Sequence, residues 1–159
     1  YQLQGEEAVN TPFTCQRRVV DRDGYLFFEG KYDGYVRYCG LEHTRQLLIN
    51  EEGTRFSGAD HLQLADDYHR DMRSHDVNLR FHLHPAMSAK RLMNGMVMLT
   101  SADGCQEWVF HSSVGQAVDL EESIYLGHTG KPLSTQQIVI YVPYVPGEDW
   151  SVEWSFIKS

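Results

Sequence analysis

Long apolar runs are missing from this sequence: none approaches the roughly 20 residues that a membrane-crossing helix needs, so no helical span is expected. Cysteines are few and odd in number. Cys15, Cys39 and Cys105 lack the paired spacing of a structural zinc site, can form one bridge at most, and otherwise read as small buried apolar residues. Basic residues are also scarce, 14 against 22 acidic ones, and the resulting charge of −8 repels phosphate backbones, so nucleic acid is not an expected partner. Arg17, Arg18, Arg22, Lys90 and Arg91 fall in small scattered groups and read as solvated strand ends. No nucleophile elbow, phosphate-binding glycine loop, dinucleotide fingerprint or zinc-protease helix occurs, nor any internal repeat. Residues 1–13 carry no basic segment followed by an apolar stretch, so no secretory signal is read and the compartment stays open.

What is present is enough apolar material for one core. A chain of 159 residues with 42% hydrophobic side chains is expected to form a single domain over residues 1–159. Asp23-Gly24, Asn94-Gly95 and Asp103-Gly104 can each adopt the positive φ angles of a tight hairpin turn, and Glu52-Gly53 is a weaker fourth. Between the turns lie short runs that alternate or are rich in aromatic and β-branched residues.

The clearest strand runs from Val77 to His84. Val77, Leu79, Phe81 and Leu83 face one way, and Asn78, Arg80, His82 and His84 the other. A second alternation, Val152, Trp154 and Phe156 against Ser151, Glu153 and Ser155, makes the C-terminus a core strand. Further strands are predicted over residues 16–21, 25–30, 35–39, 44–50, 96–100, 107–111, 123–126 and 136–141. About ten strands exceed what one flat sheet carries, so the fold class is all-β, a two-layer antiparallel β-sandwich in preference to a closed barrel. Ala59–Asp76, acidic and rich in histidine, shows no strand alternation and reads as a long loop, with a short helical turn around Leu62–Ala65.

Two constellations could carry chemistry. His82 and His84 stand two apart on a strand, so their rings share a face and can share a divalent metal such as zinc. A third ligand would have to come from His43, Asp60, His61, Asp66, Asp67, His69 or His75. The plainer alternative is two histidines hydrogen-bonded at a sheet rim, with Pro85 ending the strand. The second set is Asp33 and Tyr35 of Tyr32-Asp-Gly-Tyr35 with Arg37, His43 and Arg45, where Gly34 suggests a bulge or bend that could aim Asp33 and Tyr35 at a ligand. Tyr and His can remove an activated carbon-bound proton and Arg can neutralise a neighbouring carboxylate, so Asp33, Tyr35, His43 and Arg45 are candidate substrate-binding residues. The alternative is an ordinary mix of aromatic core and charged surface.

Taken in order, several segments resemble the C-terminal region of heparinase II/III-like proteins. They are Tyr32-Asp-Gly-Tyr35, Gly40-Leu-Glu-His-Thr-Arg45, Ser57-Gly-Ala-Asp60, Arg80-Phe-His-Leu-His-Pro85, Gly104 with Trp108-Val-Phe110, Glu121-Glu-Ser-Ile-Tyr125, Gln136-Gln-Ile-Val139 and Trp154-Ser-Phe156. The resemblance implies a bacterial β-sandwich that follows an α/α toroid, the two forming a lyase that cleaves uronic-acid-containing polysaccharide, such as a glycosaminoglycan, by β-elimination. Its partners would be that toroid and an acidic polysaccharide, and its location the periplasm if secreted, otherwise the cytoplasm. Without the toroid the chain is expected to be inactive. Members with this motif often have His before Asp-Gly-Tyr where this chain has Tyr32, which leaves open a non-catalytic carbohydrate-binding or scaffold module.

Overall fold

The computed structural model describes residues 15–22, 24–65, 75–127, 130–145 and 148–159. These form eleven strands: β1 (Cys15–Arg22), β2 (Tyr25–Tyr32), β3 (Leu41–Asn50), β4 (Arg55–Leu64), β5 (His75–His82), β6 (Met87–Arg91), β7 (Val97–Ser101), β8 (Glu107–Ser112), β9 (Val118–Leu126), β10 (Pro132–Tyr144) and β11 (Trp150–Lys158). Pairing is antiparallel throughout, and the strands form two sheets. The large sheet runs β1-β2-β3-β4-β11-β8-β7-β6, and the small one β5-β10-β9. The expected two-layer antiparallel sandwich is therefore what forms.

Side chains from both sheets meet in the core: Val97, Leu99, Phe110, Val152 and Trp154 from the large sheet against Leu79, Val118, Ile138, Ile140 and Val142 from the small one. The alternation read in Val77–His84 holds, with Leu79 and Leu83 buried and Asn78, Arg80, His82 and His84 exposed. The small sheet is too narrow to cover the large one. Val19, Leu26 and Ile49 stay exposed although their register puts them on the same face as Leu47, which packs against the core.

Turn chemistry places the hairpins. Gly24, Gly53, Gly95 and Gly104 all take positive φ, and Asn94 joins Gly95 at +62°. At Gly95 no side chain would fit in any case, because the Gly115 carbonyl lies against its Cα. Asp23 lies outside the described residues.

Several sequence expectations change. Residues 35–39 do not form a strand but one helical turn, α1 (Val36–Cys39), closed by Gly40 at φ +73°. β2 and β3 already pair with each other at Tyr32 and His43, which leaves residues 33–40 as their connection with no strand to join. Residues 59–64, read as loop, belong to β4, and no helical turn forms around Leu62–Ala65. Asp60 at an inward position broke the apolar pattern. Residues 66–74 of the supposed loop lie outside the described residues. β6, a short edge strand without strong alternation, was not anticipated, and Cys105 is exposed rather than buried.

β11 hydrogen-bonds to β4 on one side and β8 on the other, so it joins the two halves of the large sheet. Deleting residues 150–159 is expected to abolish cooperative unfolding and near-ultraviolet circular dichroism, leaving a collapsed chain.

Candidate functional site

Register brings the site together. Arg45 on β3 lies directly opposite Asp60 on β4, and His43 lies two residues further along the same face. On the other side of β4, Val152 of β11 is opposite Asp60 and Trp154 is opposite Gly58. Asp60, which has no exposed surface, thereby receives four N–H groups. Its Oδ1 accepts from His43 Nε2 (2.7 Å) and Arg45 Nε (2.7 Å), and its Oδ2 from Arg45 Nη2 (3.2 Å) and Trp154 Nε1 (2.8 Å).

Burial is the largest single influence on this carboxyl and by itself raises its pKa. The hydrogen bond from His43, the hydrogen bond and charge of Arg45, and the Trp154 indole together outweigh it and hold Asp60 below the usual aspartate value. Because His43 Nε2 donates to a carboxylate, that nitrogen carries the proton and Nδ1 is the nitrogen left for other partners. The Arg45 guanidinium also sits 5.7 Å from the centre of the Phe81 ring on β5 and 5.9 Å from the Trp154 ring, so the pair is clamped between the two sheets.

Beside this network opens a cleft of about 330 Å³, lined by Tyr35, Cys39, Leu41, His43 and Leu62 on one side and by Asp76, Val77, Asn78 and Leu79 of β5 on the other. Tyr35 begins the turn of α1, and its ring centre is 6.5 Å from that of His43. Tyr32 packs edge-on against Tyr35 at 5.2 Å and closes over Gly34, where a Cβ would meet its ring. Gly34 thus supports a turn rather than a strand bulge.

Of the four candidate substrate-binding residues, Tyr35 and His43 line this cleft and Arg45 reaches it through Asp60. Asp33 stands apart from the lining. Its carbonyl accepts the Val36 N–H at 2.9 Å, and its charge opposes ionisation of Glu42, which Lys31, hydrogen-bonded at 2.6 Å, nevertheless holds below the usual glutamate value. The Arg37 side chain lies outside what is described. In the sequence Asp60 reads as a spare metal ligand within the motif Ser57-Gly-Ala-Asp60, and Trp154 as core within Trp154-Ser-Phe156. The available signal was an acid in phase with Phe56, Leu62 and Leu64.

His82 and His84 lie elsewhere, on the outer face of the small sheet. His82 Nδ1 pairs with Ser123 Oγ at 2.8 Å. His84, beyond the end of β5, accepts the Ala86 N–H on Nδ1 at 3.1 Å and packs edge-on against Tyr125. That acceptor bond puts the proton of a neutral His84 on Nε2, so a metal on Nε2 would require a change of tautomer and one on Nδ1 the loss of the Ala86 bond. Among the described residues no three His, Cys, Asp or Glu side chains converge as a metal would need. Asp66, Asp67 and His69, and the side chain of His75, lie outside the described part.

The family model described as heparinase II/III-like, C-terminal, matches residues 1–154. The chain belongs to this family. By sequence, no curated protein matches the chain. Among solved structures, the heparan sulfate lyase HepC from Pedobacter heparinus superposes with a TM-score of 0.68 at 13% identity over 90% of this chain. A second, heparinase III, gives a TM-score of 0.63 at 12% identity over 89% of this chain. At such identities the likeness establishes the fold. The chain spans about a fifth of those proteins, 22% and 21% of their respective lengths.

Replacing Asp60 by Asn is expected to destabilise this heparinase II/III-like domain by about 3 kcal/mol at pH 7, read from urea unfolding, because Arg45 is left half-buried without its counter-charge. A carboxyl whose pKa is lowered on folding stabilises above its unfolded value, about 3.9 for Asp, and that contribution fades as pH falls through the folded value. The decline of Tm in acid should therefore be shallower in the Asn variant than in the wild type. Gly58→Ala should cost about 1–3 kcal/mol in the same assay. Its Cβ would stand 2.7 Å from Trp154 Cη2 and 2.8 Å from the Gln46 carbonyl oxygen, displacing the indole that caps Asp60.

Proposed function

We propose that this chain is the C-terminal β-sandwich of a polysaccharide lyase acting by β-elimination on uronic-acid-containing polysaccharide, and that residues 1–159 are one domain working with an α/α toroid in the same polypeptide. The family match over residues 1–154 carries this reading. It is supported by the heparan sulfate lyase and heparinase names of the structures that share the fold and are several times longer.

In this reading the Tyr35–His43 cleft is the sandwich's contribution to the active site. Elimination needs a base to take the proton from C5 of the uronate, a positive or hydrogen-bonding group to stabilise the charge that builds on its carboxylate, and a proton for the departing oxygen at C4. The C5–H and C4–O bonds break, and a C4–C5 double bond forms. In this reading His43, its Nε2 on Asp60, takes the C5 proton on Nδ1, and the Tyr35 hydroxyl gives a proton to the leaving oxygen. Arg45 has two of its nitrogens on Asp60, so its part is to hold Asp60 and thereby His43, while the groups that neutralise the uronate carboxylate come from the toroid.

The intact mass of the polypeptide isolated from its source cells should be several-fold above 18.3 kDa. That protein should convert uronate polymers to products with the ultraviolet absorbance of a 4,5-unsaturated uronate. Tyr35→Phe and His43→Ala should each lower kcat by about 10²–10⁴ with little change in KM. A toroid-bearing protein that produced no unsaturated sugar from a panel of uronate polymers would end the lyase reading.

A further inference from the structure

The reverse face of the large sheet carries a second concavity, of about 470 Å³. Side chains alternate across a strand, so this face is turned away from His43, Arg45 and Asp60. Two cross-strand rows build it. In the first, Phe27, Leu48, Ser57, Ser155 and His111 lie side by side on β2, β3, β4, β11 and β8, and in the second, Glu29, Gln46, Ala59 and Glu153 do. Ser57 and Ser155 occupy the middle of the first row and Ala59 stands between Gln46 and Glu153 in the second, which makes a trough running across the strands, with its outermost strands roughly 19 Å apart.

Its polar groups are under-used. Ser155 is 8% exposed on the floor, and its hydroxyl has no hydrogen-bond partner among the described residues. Arg55, at the margin of the trough, is exposed. It donates from Nε to Ser57 Oγ at 3.1 Å and meets no carboxylate among the described residues. Glu153 and His111 are exposed on the opposite wall. Phe27 and Leu48 supply an apolar flank. Donors and acceptors in alternation over a floor of small residues, beside an apolar wall, suit a ligand whose hydroxyls both donate and accept and whose rings have C–H faces. Arg55, which meets no carboxylate among the described residues, is the group for an anionic member of that class, while Glu29 is engaged by Gln46 and Glu153 lies in the second row.

We propose that this trough is a binding site for a uronate-bearing oligosaccharide, separate from the Tyr35–His43 cleft, with Arg55 on the uronate carboxylate and Ser155 and Ser57 on ring hydroxyls. The choice of an acidic glycan rests on the lyase reading, but the existence of the site does not. It would hold a second stretch of polymer away from the cleft.

Amide chemical shifts of the full 159-residue chain, titrated with a tetrasaccharide of alternating uronate and hexosamine and separately with neutral maltotetraose, test this. Expected are shifts confined to residues around Gln46, Ser57, Ala59, His111 and Ser155 with the acidic sugar and much weaker ones with the neutral sugar. Arg55→Glu should weaken binding at least tenfold at unchanged Tm, and Ser155→Val should weaken it several-fold. Shifts that map to Tyr35 and His43 instead, wild-type affinity in Arg55→Glu, equal binding of the neutral sugar, or no shifts at millimolar sugar would each overturn the proposal. None of these results bears on whether the longer polypeptide makes unsaturated product, so the two readings fail independently.

Discussion

A carboxylate removed entirely from water survives in a protein only when donors replace its hydration, and at Asp60 four N–H groups from three side chains do so. The donors come from β3 and β11, the two strands that flank β4, so the charge can be satisfied only when all three are in register. A slip of one residue in either pairing would turn Arg45 or Trp154 to the opposite face and leave Asp60 bare. The network thus ties the alignment of the large sheet to a single buried charge.

The same donors reach beyond the sheet. Trp154 lies in an aromatic cluster with Phe56, Phe81 and Phe156, its ring centre 4.8 Å from that of Phe81 on the facing sheet. Arg45 rests over the same Phe81. Packing of the small sheet against the large one and charge compensation at Asp60 are therefore coupled through shared side chains. Gly58 makes the coupling possible by leaving space for the indole. His43, held by this framework at the wall of the cleft, inherits its orientation from the core rather than from a mobile loop.

The large sheet separates two environments. Its inner face holds the charged network and the cleft beside α1, which Tyr35 and His43 both line. Its outer face holds a shallow polar trough with a guanidinium, Arg55, that meets no carboxylate among the described residues. The small sheet is different again. Arg80 bridges to Glu121 at 2.6 Å and His82 to Ser123, from β5 across β10 to β9, and His84, just beyond β5, packs on Tyr125; these contacts cover the buried Thr135, Gln137 and Val139. The two histidines that looked like metal ligands in the sequence take part in this covering.

Local pattern sufficed for much of the fold. Alternation in Val77–His84 and Val152–Phe156 set which side chains turn inward, because a strand has period two whatever it pairs with, and turn glycines marked four hairpins because few other residues accept positive φ. The motif series sufficed for the family. Pattern failed where one residue answered to partners far away: Asp60 looked like loop because an acid at an inward position makes sense only with Arg45, His43 and Trp154 around it, and Trp154 is 94 positions distant. Residues 35–39 looked like strand because their aromatic and β-branched side chains favour one, yet β2 and β3 were already paired and left them no neighbour. Composition and period by themselves determined an all-β sandwich, whereas strand order decided which charges share a site, since register is a property of two strands and never of one.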